Sequence, residues 1–286
     1  MLLSAIGLWA LNLTVSRYIL THGFQPLAFS TVRYGLAALV FIGIAVFAER
    51  SLRIRRRDLV AVILAALVLW VNQIGFVYAL KTTSASVIAL VLAATPIFAA
   101  LIGLVSGTER LPRRFWMGAG LSFAGVALVA LGAAGALRGD VVGILFGIVA
   151  AATWAAYSVL IAPLMRTYSP SRISAVVLSL SWIGIALVGL PQTRSQQWDL
   201  GWEVWVLLVF ATLGPLVITN VLWFRSLDRI GPSRATLATN LQPFVAAVFA
   251  VVLLGEHIDV VQIVGGILIG LGIVAARGGT ATVPVE

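Results

Sequence analysis

Residues 59–80 read LVAVILAALVLWVNQIGFVYAL, a run with no charged residue and two adjacent amides, Asn72 and Gln73, past its middle. As an α-helix this run is roughly 33 Å long, enough to cross a hydrocarbon core of about 30 Å. Seven further runs between charged residues have the same character: 82–108, 115–137, 141–165, 173–193, 204–224, 235–255 and 260–276. Two more, 2–20 and 27–47, fit the length rule with one arginine each, Arg17 and Arg33. The expected count is ten membrane spans. Composition agrees, because a 286-residue chain with 61% hydrophobic and 10% charged residues could not hide its apolar surface as a soluble domain.

The net charge of +9 comes from arginines in short connections rather than from a basic face interleaved with base-stacking aromatics, so nucleic acid is not an expected partner. Alternate connections divide these charges unevenly. One set holds Arg50, Arg53, Arg55, Arg56 and Arg57, then Arg110, Arg113 and Arg114, then Arg166 and Arg172, then Arg225, Arg229 and Arg234, with Arg277 in the tail. The other holds Lys81, Arg138 and Arg194. The positive-inside rule places the first set, and both termini, in the cytoplasm. Met1 stands directly against Leu2 and Leu3 with no basic segment before them, so the first helix is expected to be retained rather than cleaved. Trp198, Trp202 and Trp116 lie near span ends, where amphipathic rings suit the headgroup zone.

The chain is written twice. Residues 84–128 laid over 231–275 give ten identities in 45 positions, including Pro96 with Pro243, Glu109 with Glu256, Gly118 with Gly265 and Gly125 with Gly272. A similar offset pairs Trp9 with Trp154. Five spans per half is an odd number, so the second half crosses the membrane in the opposite sense. The expected architecture is an all-α membrane protein of ten helices, two inverted five-helix repeats (1–137 and 138–286) around a central cavity. Inverted repeats of this kind occur in secondary transporters, with the ligand site near the midplane between the halves.

Asn72-Gln73-Ile74-Gly75-Phe76-Val77-Tyr78-Ala79-Leu80-Lys81, followed by Thr83-Ser84-Ala85-Ser86 and Thr95-Pro96, resembles the third and fourth helices of the drug/metabolite transporter superfamily, EamA type. Leu222-Trp223-Phe224, Gly231-Pro232-Ser233-Arg234-Ala235, Asn240-Leu241-Gln242-Pro243 and Leu254-Gly255-Glu256 extend the resemblance through the second half. The resemblance implies ten helices, cytoplasmic termini, a multi-pass position in a bacterial inner membrane, and export of metabolites or toxic compounds. It leans toward exporters of aromatic amino acids.

Polar side chains at mid-span depth are costly in lipid and turn toward other helices or a wet cavity. Trp9 with Asn12, and Trp154 with Tyr157, share helix faces at a three-residue step. With Asn72, Gln73 and Tyr78 of the third span, Thr219, Asn220 and Trp223 of the eighth, and Asn240 and Gln242 of the ninth, they form the candidate substrate-binding wall. Interhelical hydrogen bonding is the alternative role for each. Pro96, Pro215 and Pro243 interrupt spans and are candidate hinges, or fixed bends. The glycines around Gly118, Gly125, Gly265 and Gly272 suit close helix packing. Arg17 and Arg33 admit two readings: contact with a substrate carboxylate, or snorkelling to headgroups and bonding to neighbouring carbonyls.

All ten acidic residues fall in loops, at span ends or in the tail, so no buried carboxylate relay for protons is visible. His22 and His257 have no second ligand at helical spacing, and the chain has no cysteine, so no metal site or cofactor is expected. A single lysine with no Walker A sequence around it excludes ATP hydrolysis by that route. No acid, base and nucleophile converge at span depth, so no catalytic residue is assigned and an enzyme is not expected. The functional expectation is a secondary transporter exporting small amphipathic metabolites, amino acids including aromatic ones, by alternating access. A small-molecule substrate and the lipid bilayer are its partners, and a monomer suffices. The alternatives are an exporter of lipophilic cations with the same fold, or a membrane receptor or structural protein that transports nothing.

Overall fold

A computed structural model of the chain describes residues 2–83, 88, 91–107, 111–132, 141–245, 248 and 260–276. Every regular element among the described residues is helical. In chain order they are α1 (Leu2–Thr21), α2 (Pro26–Ile44), α3 (Leu59–Thr82), α4 (Thr95–Val105) and α5 (Arg113–Gly132), then α6 (Val141–Ile161), α7 (Pro170–Ser195), α8 (Trp202–Ile230), α9 (Pro232–Ala238) and α10 (Val260–Ala276). With the short turns that extend α2, α3 and α6, six helices among the described residues are long and apolar enough to cross a membrane: α1, α2, α3, α6, α7 and α8. The runs 82–108 and 235–255 are described only in part, as are the segments carrying Ser84, Glu109, Arg138, Asp140, Glu256 and His257, which lie outside the described residues.

The helix ends follow local chemistry. Ser169 caps α7, its Oγ accepting from the Arg172 amide at 3.1 Å, and Pro170 takes the first helical position, where no N–H is needed. Pro26 opens α2 in the same way after the turn at Gly23, whose φ of 97° disfavours a side chain. Large apolar residues such as Leu39, Val60 and Leu187 stand more than half exposed around the outside, as expected where lipid rather than water is the solvent.

The helices pair across the two halves of the chain, chiefly α5 with α10, α3 with α6, and α2 with α7, with α1 against α8 and α4 against α9. Contact registers show that the first three pairs run antiparallel. In the α5–α10 seam, a methyl group on Gly118 would strike the Gly272 carbonyl, and one on Gly125 would come within 2.6 Å of the Gly265 carbonyl. Backbone therefore rests on backbone, the approach that small residues permit where lipid tails compete equally for apolar surface. In α3–α6, Asn72 reaches Ala150 while Thr83 lies over Gly143. In α2–α7, the Leu27 amide donates to Gln192 Oε1 at 2.8 Å while the Trp182 indole crosses Gly35 to donate to the Thr31 carbonyl at 3.0 Å.

Each face is tied between the α2–α3 hairpin and α7 or the turn before it. On the arginine-rich face, Glu49 pairs with Arg172 at 3.1 Å and accepts from Ser169, while Tyr168 donates to Asp58 at 2.6 Å. On the other face the ties are neutral: the Gln25 amide donates to Gln196 Oε1 at 2.7 Å, and Gln192 Nε2 donates to the Tyr78 hydroxyl at 2.9 Å.

Candidate functional site

Three helices break at mid-depth, and the breaks surround a hollow. Ala93 and Ala94 form a turn just before α4, whose second residue is Pro96. Thr239–Leu241 forms a 3-10 turn after α9, just before Pro243. Leu213–Ile218 is a π-turn inside α8 around Pro215. Proline has no N–H and its ring crowds the preceding turn, so each break follows from its sequence. The hollow between them has a cavity volume of about 130 Å³ and is open on one side.

The proline in α8 organises one wall. In an uninterrupted helix the Ala211 carbonyl would accept from the amide of residue 215, which proline lacks. Arg33 of α2 takes that acceptor instead, its Nε donating to the Ala211 carbonyl at 3.0 Å, while its Nη2 donates to Asn12 Oδ1 of α1 at 3.3 Å. Trp9 of α1 donates through Nε1 to the Pro215 carbonyl at 3.1 Å. Side chains from α1 and α2 thus satisfy backbone groups at the break. Arg33 is 4% exposed and lines the hollow. It has the carbonyl-bonding role allowed for it, and its depth shows that it does not snorkel to the surface.

The candidate wall divides. Trp9, Asn12, Asn72, Gln73, Trp154 and Asn220 line the hollow, as do Asn240 and Gln242. Some of these amides hold the bundle: Asn72 Nδ2 donates to the Ala150 carbonyl at 2.7 Å, and Gln73 Nε2 to Ser30 Oγ at 3.0 Å. Asn220 and Gln242 make no side-chain hydrogen bond among the described residues. Asn240 Nδ2 donates to Ser122 Oγ at 3.1 Å, while its buried Oδ1 has no protein partner. Buried polar atoms are nearly always satisfied, so these last three amides suit a ligand or water.

Tyr78, Tyr157, Thr219 and Trp223 do not line the hollow. Tyr78 bonds Gln192 and stacks on Phe146 at 5.4 Å between ring centroids. Thr219 Oγ1 donates to the Gly214 carbonyl at 3.2 Å within the π-turn. Trp223 and Tyr157 are fully buried behind Trp9 and Trp154, toward the arginine-rich face, with Trp9–Trp223 and Trp154–Trp223 centroids 5.1 and 5.9 Å apart. They form the layer beneath an aromatic floor. Of the prolines, Pro215 and Pro243 line the hollow and Pro96 sits one residue from lining Thr95. Arg17 stands apart, its Nη1 donating to the Thr83 carbonyl at 2.8 Å near the other face. Tyr34, Phe76, Thr95 and Thr239 line the hollow without having been singled out. Position beside Arg33, Pro96 or Asn240 was the available signal for three of them.

Among the described residues, no group of three or more His, Asp or Glu side chains is placed to hold a metal ion.

The model of the EamA-like transporter family matches residues 1–131 and 141–277. The chain is 24% identical over 265 residues to the Bacillus subtilis (strain 168) protein named uncharacterized transporter YyaM, covering 89% of this chain and 85% of that one. It is 29% identical over 203 residues to an uncharacterized transporter of Archaeoglobus fulgidus, covering 68% of each. A solved crystal structure superposes with a TM-score of 0.78 at 21% identity, over 96% of this chain and 94% of the other, a likeness of fold.

Proposed function

Because the chain belongs to the EamA-like transporter family, we propose that it is a secondary transporter exporting small amphipathic metabolites, amino acids including aromatic ones among them, by alternating access. The observation that carries this reading is the hollow itself, at mid-depth, where broken helices from both halves meet and where, among the described residues, Asn220, Gln242 and the Oδ1 atom of Asn240 have no hydrogen-bond partner. Transporters place ligands at such interfaces because interrupted helices offer backbone groups there without exposing them to lipid.

The two parts, 1–137 and 138–286, act as inverted repeats of five helices each in a ten-helix bundle. Support comes from the seam registers: Gly118 and Gly265 are aligned in the sequence repeat, as are Gly125 and Gly272, while in space Gly118 meets Gly272 and Gly125 meets Gly265. Exchange of the two halves leaves that pattern unchanged. Breaks before Pro96 and Pro243 stand at matching places. The arginine-rich face is cytoplasmic, as the positive-inside rule requires, in a bacterial inner membrane. Trp9, Trp154 and the layer beneath them close the hollow toward the cytoplasm. Rocking at Pro96, Pro215 and Pro243 opens that floor, while the Glu49–Arg172 tie holds α2 to α7.

Purified protein in liposomes loaded with radiolabelled amino acids, with and without an imposed pH gradient, tests the proposal. Saturable efflux of at least one aromatic amino acid is the expected result. No protein-dependent flux of any amino acid or lipophilic cation overturns it.

A further inference from the structure

We infer that the hollow takes a carboxylate ligand at Arg33 and excludes cations, so that its substrates are small organic acids, or zwitterions recognised through their acid group. This inference rests on the transport reading for its use of the word substrate; the binding site itself stands on the geometry. Arg33 carries the only charge on the wall of the hollow among the described residues. Its hydrogen-bond partners among the described residues, the Ala211 carbonyl and the Asn12 amide oxygen, are both neutral, and its guanidinium carbon lies 5.7 Å from the centroid of the Phe29 ring, a cation–π contact that brings no counter-charge. Among the described residues the ion pairs are Arg57–Asp58 and Arg172–Glu49, both at the arginine-rich face. The guanidinium is therefore buried at mid-depth without a counter-charge, the arrangement that burial penalises most.

Structural bonding accounts for only part of this side chain. A guanidinium has five N–H donors in a planar fork, and Nε and Nη2 engage the protein while Nη1 has no protein partner among the described residues. Neutral glutamine or lysine with fewer fixed donors could serve a freed carbonyl. A planar cation held by a carbonyl, an amide oxygen and a ring, with Nη1 unengaged among the described residues, is instead suited to binding a carboxylate. The holding is rigid, since the Ala211 carbonyl is freed by Pro215 and Asn12 Oδ1 also accepts from Ser16 Oγ at 3.2 Å. Donors fixed before the ligand arrives lose little freedom on binding. The rest of the wall fits the rest of such a molecule: Trp9, Trp154, Tyr34 and Phe76 present ring surface. A lipophilic cation meets repulsion from Arg33 and, among the described residues, no acid on the wall to offset it.

Arg17 does not share this role. It lies outside the hollow and its described contact is the Thr83 carbonyl.

Three ligands with one ring and one length separate charge from shape: 3-phenylpropanoate, 3-phenylpropan-1-ol and 3-phenylpropylamine, titrated against the intrinsic tryptophan fluorescence of the purified full chain. The acid binds about tenfold or more tighter than the alcohol, and the amine binds weakest, as expected for a charge-assisted pair. Arg33→Gln brings the acid to the affinity of the alcohol and leaves the alcohol within about twofold, whereas loss of a merely structural bond would weaken both alike. The wild-type series decides the matter even where the variant does not fold. Equal affinities for acid and amine, or no saturable quenching by the acid, overturn the inference, as does a variant that weakens acid and alcohol together. Flux of the same three compounds in liposomes keeps the two proposals apart. Acid that binds but does not cross supports the site and counts against transport; alcohol or amine that crosses while the acid does not bind supports transport and counts against the site.

Discussion

The α5–α10 seam and the central hollow solve one problem in opposite ways. Lipid competes for apolar surface as well as any helix does, so helices in a membrane must be joined by close packing or by polar contacts. The seam removes side chains: Gly118, Gly125, Gly265 and Gly272 bring two backbones together and leave no space. The hollow adds polar side chains: Asn12, Asn72, Gln73 and Arg33 bond across helices that stay apart. A seam of glycine can only be a rib. A wall of long polar groups holds helices at a distance, and the distance is what admits a ligand.

That contrast breaks most visibly at Gly125. Gly125→Leu drives a side chain into the Gly265 carbonyl and costs about 3 kcal/mol or more, seen as loss of the monodisperse peak in size-exclusion chromatography. Gly120→Leu, on the same helix but facing open space, keeps the peak. If both variants behave alike, the seam is not the rib described here.

In the hollow, Pro215→Ala restores the amide that competes with Arg33 for the Ala211 carbonyl. The protein folds, and 3-phenylpropanoate binds about fivefold more weakly, an effect of about 1 kcal/mol from misdirecting one charged donor. Unchanged affinity would mean that the proline bends α8 without aiming Arg33.

Trp9→Phe keeps a ring in the floor and removes the bond to the Pro215 carbonyl, costing about 1 kcal/mol in thermal or denaturant stability. No loss of stability would place that carbonyl's satisfaction elsewhere. Arg17→Gln gives the smallest effect on the ligand, with acid affinity within about twofold of wild type, because its contact with Thr83 lies away from the hollow. A loss as large as that of Arg33→Gln would erase the distinction between the two arginines.

The sequence and the structure agree where one physical rule acts alone. Residues 59–80 have to be a helix through lipid, and α3 covers them. Pro96, Pro215 and Pro243 have to disturb a helix, and each stands beside or within a break. Where two rules compete, the residue type is ambiguous. Asn72 and Asn220 look alike in a sequence and both line the hollow; one bonds the Ala150 carbonyl and the other makes no side-chain hydrogen bond among the described residues, a matter of which neighbour lies within reach. Trp9 and Trp223 are also alike in type, yet one forms the floor and the other lies buried behind it, because helix rotation is set by packing that hydropathy does not encode. Arg33 marks the limit of reading along the chain. Its partner is the Ala211 carbonyl, 178 positions along the chain and four residues before Pro215, a link that only the meeting of α2 and α8 creates.

The absence of cysteine from the chain offers the most direct test of a wet, ligand-holding hollow at mid-depth, since single cysteines can be placed without background. Asn220→Cys and Leu67→Cys, treated in membrane vesicles with a charged methanethiosulfonate reagent, compare a position on the hollow with one on the exposed apolar exterior. The account predicts that the thiol at position 220 reacts, that 3-phenylpropanoate protects it, and that the thiol at position 67 stays inert. A position 220 as unreactive as position 67 contradicts it.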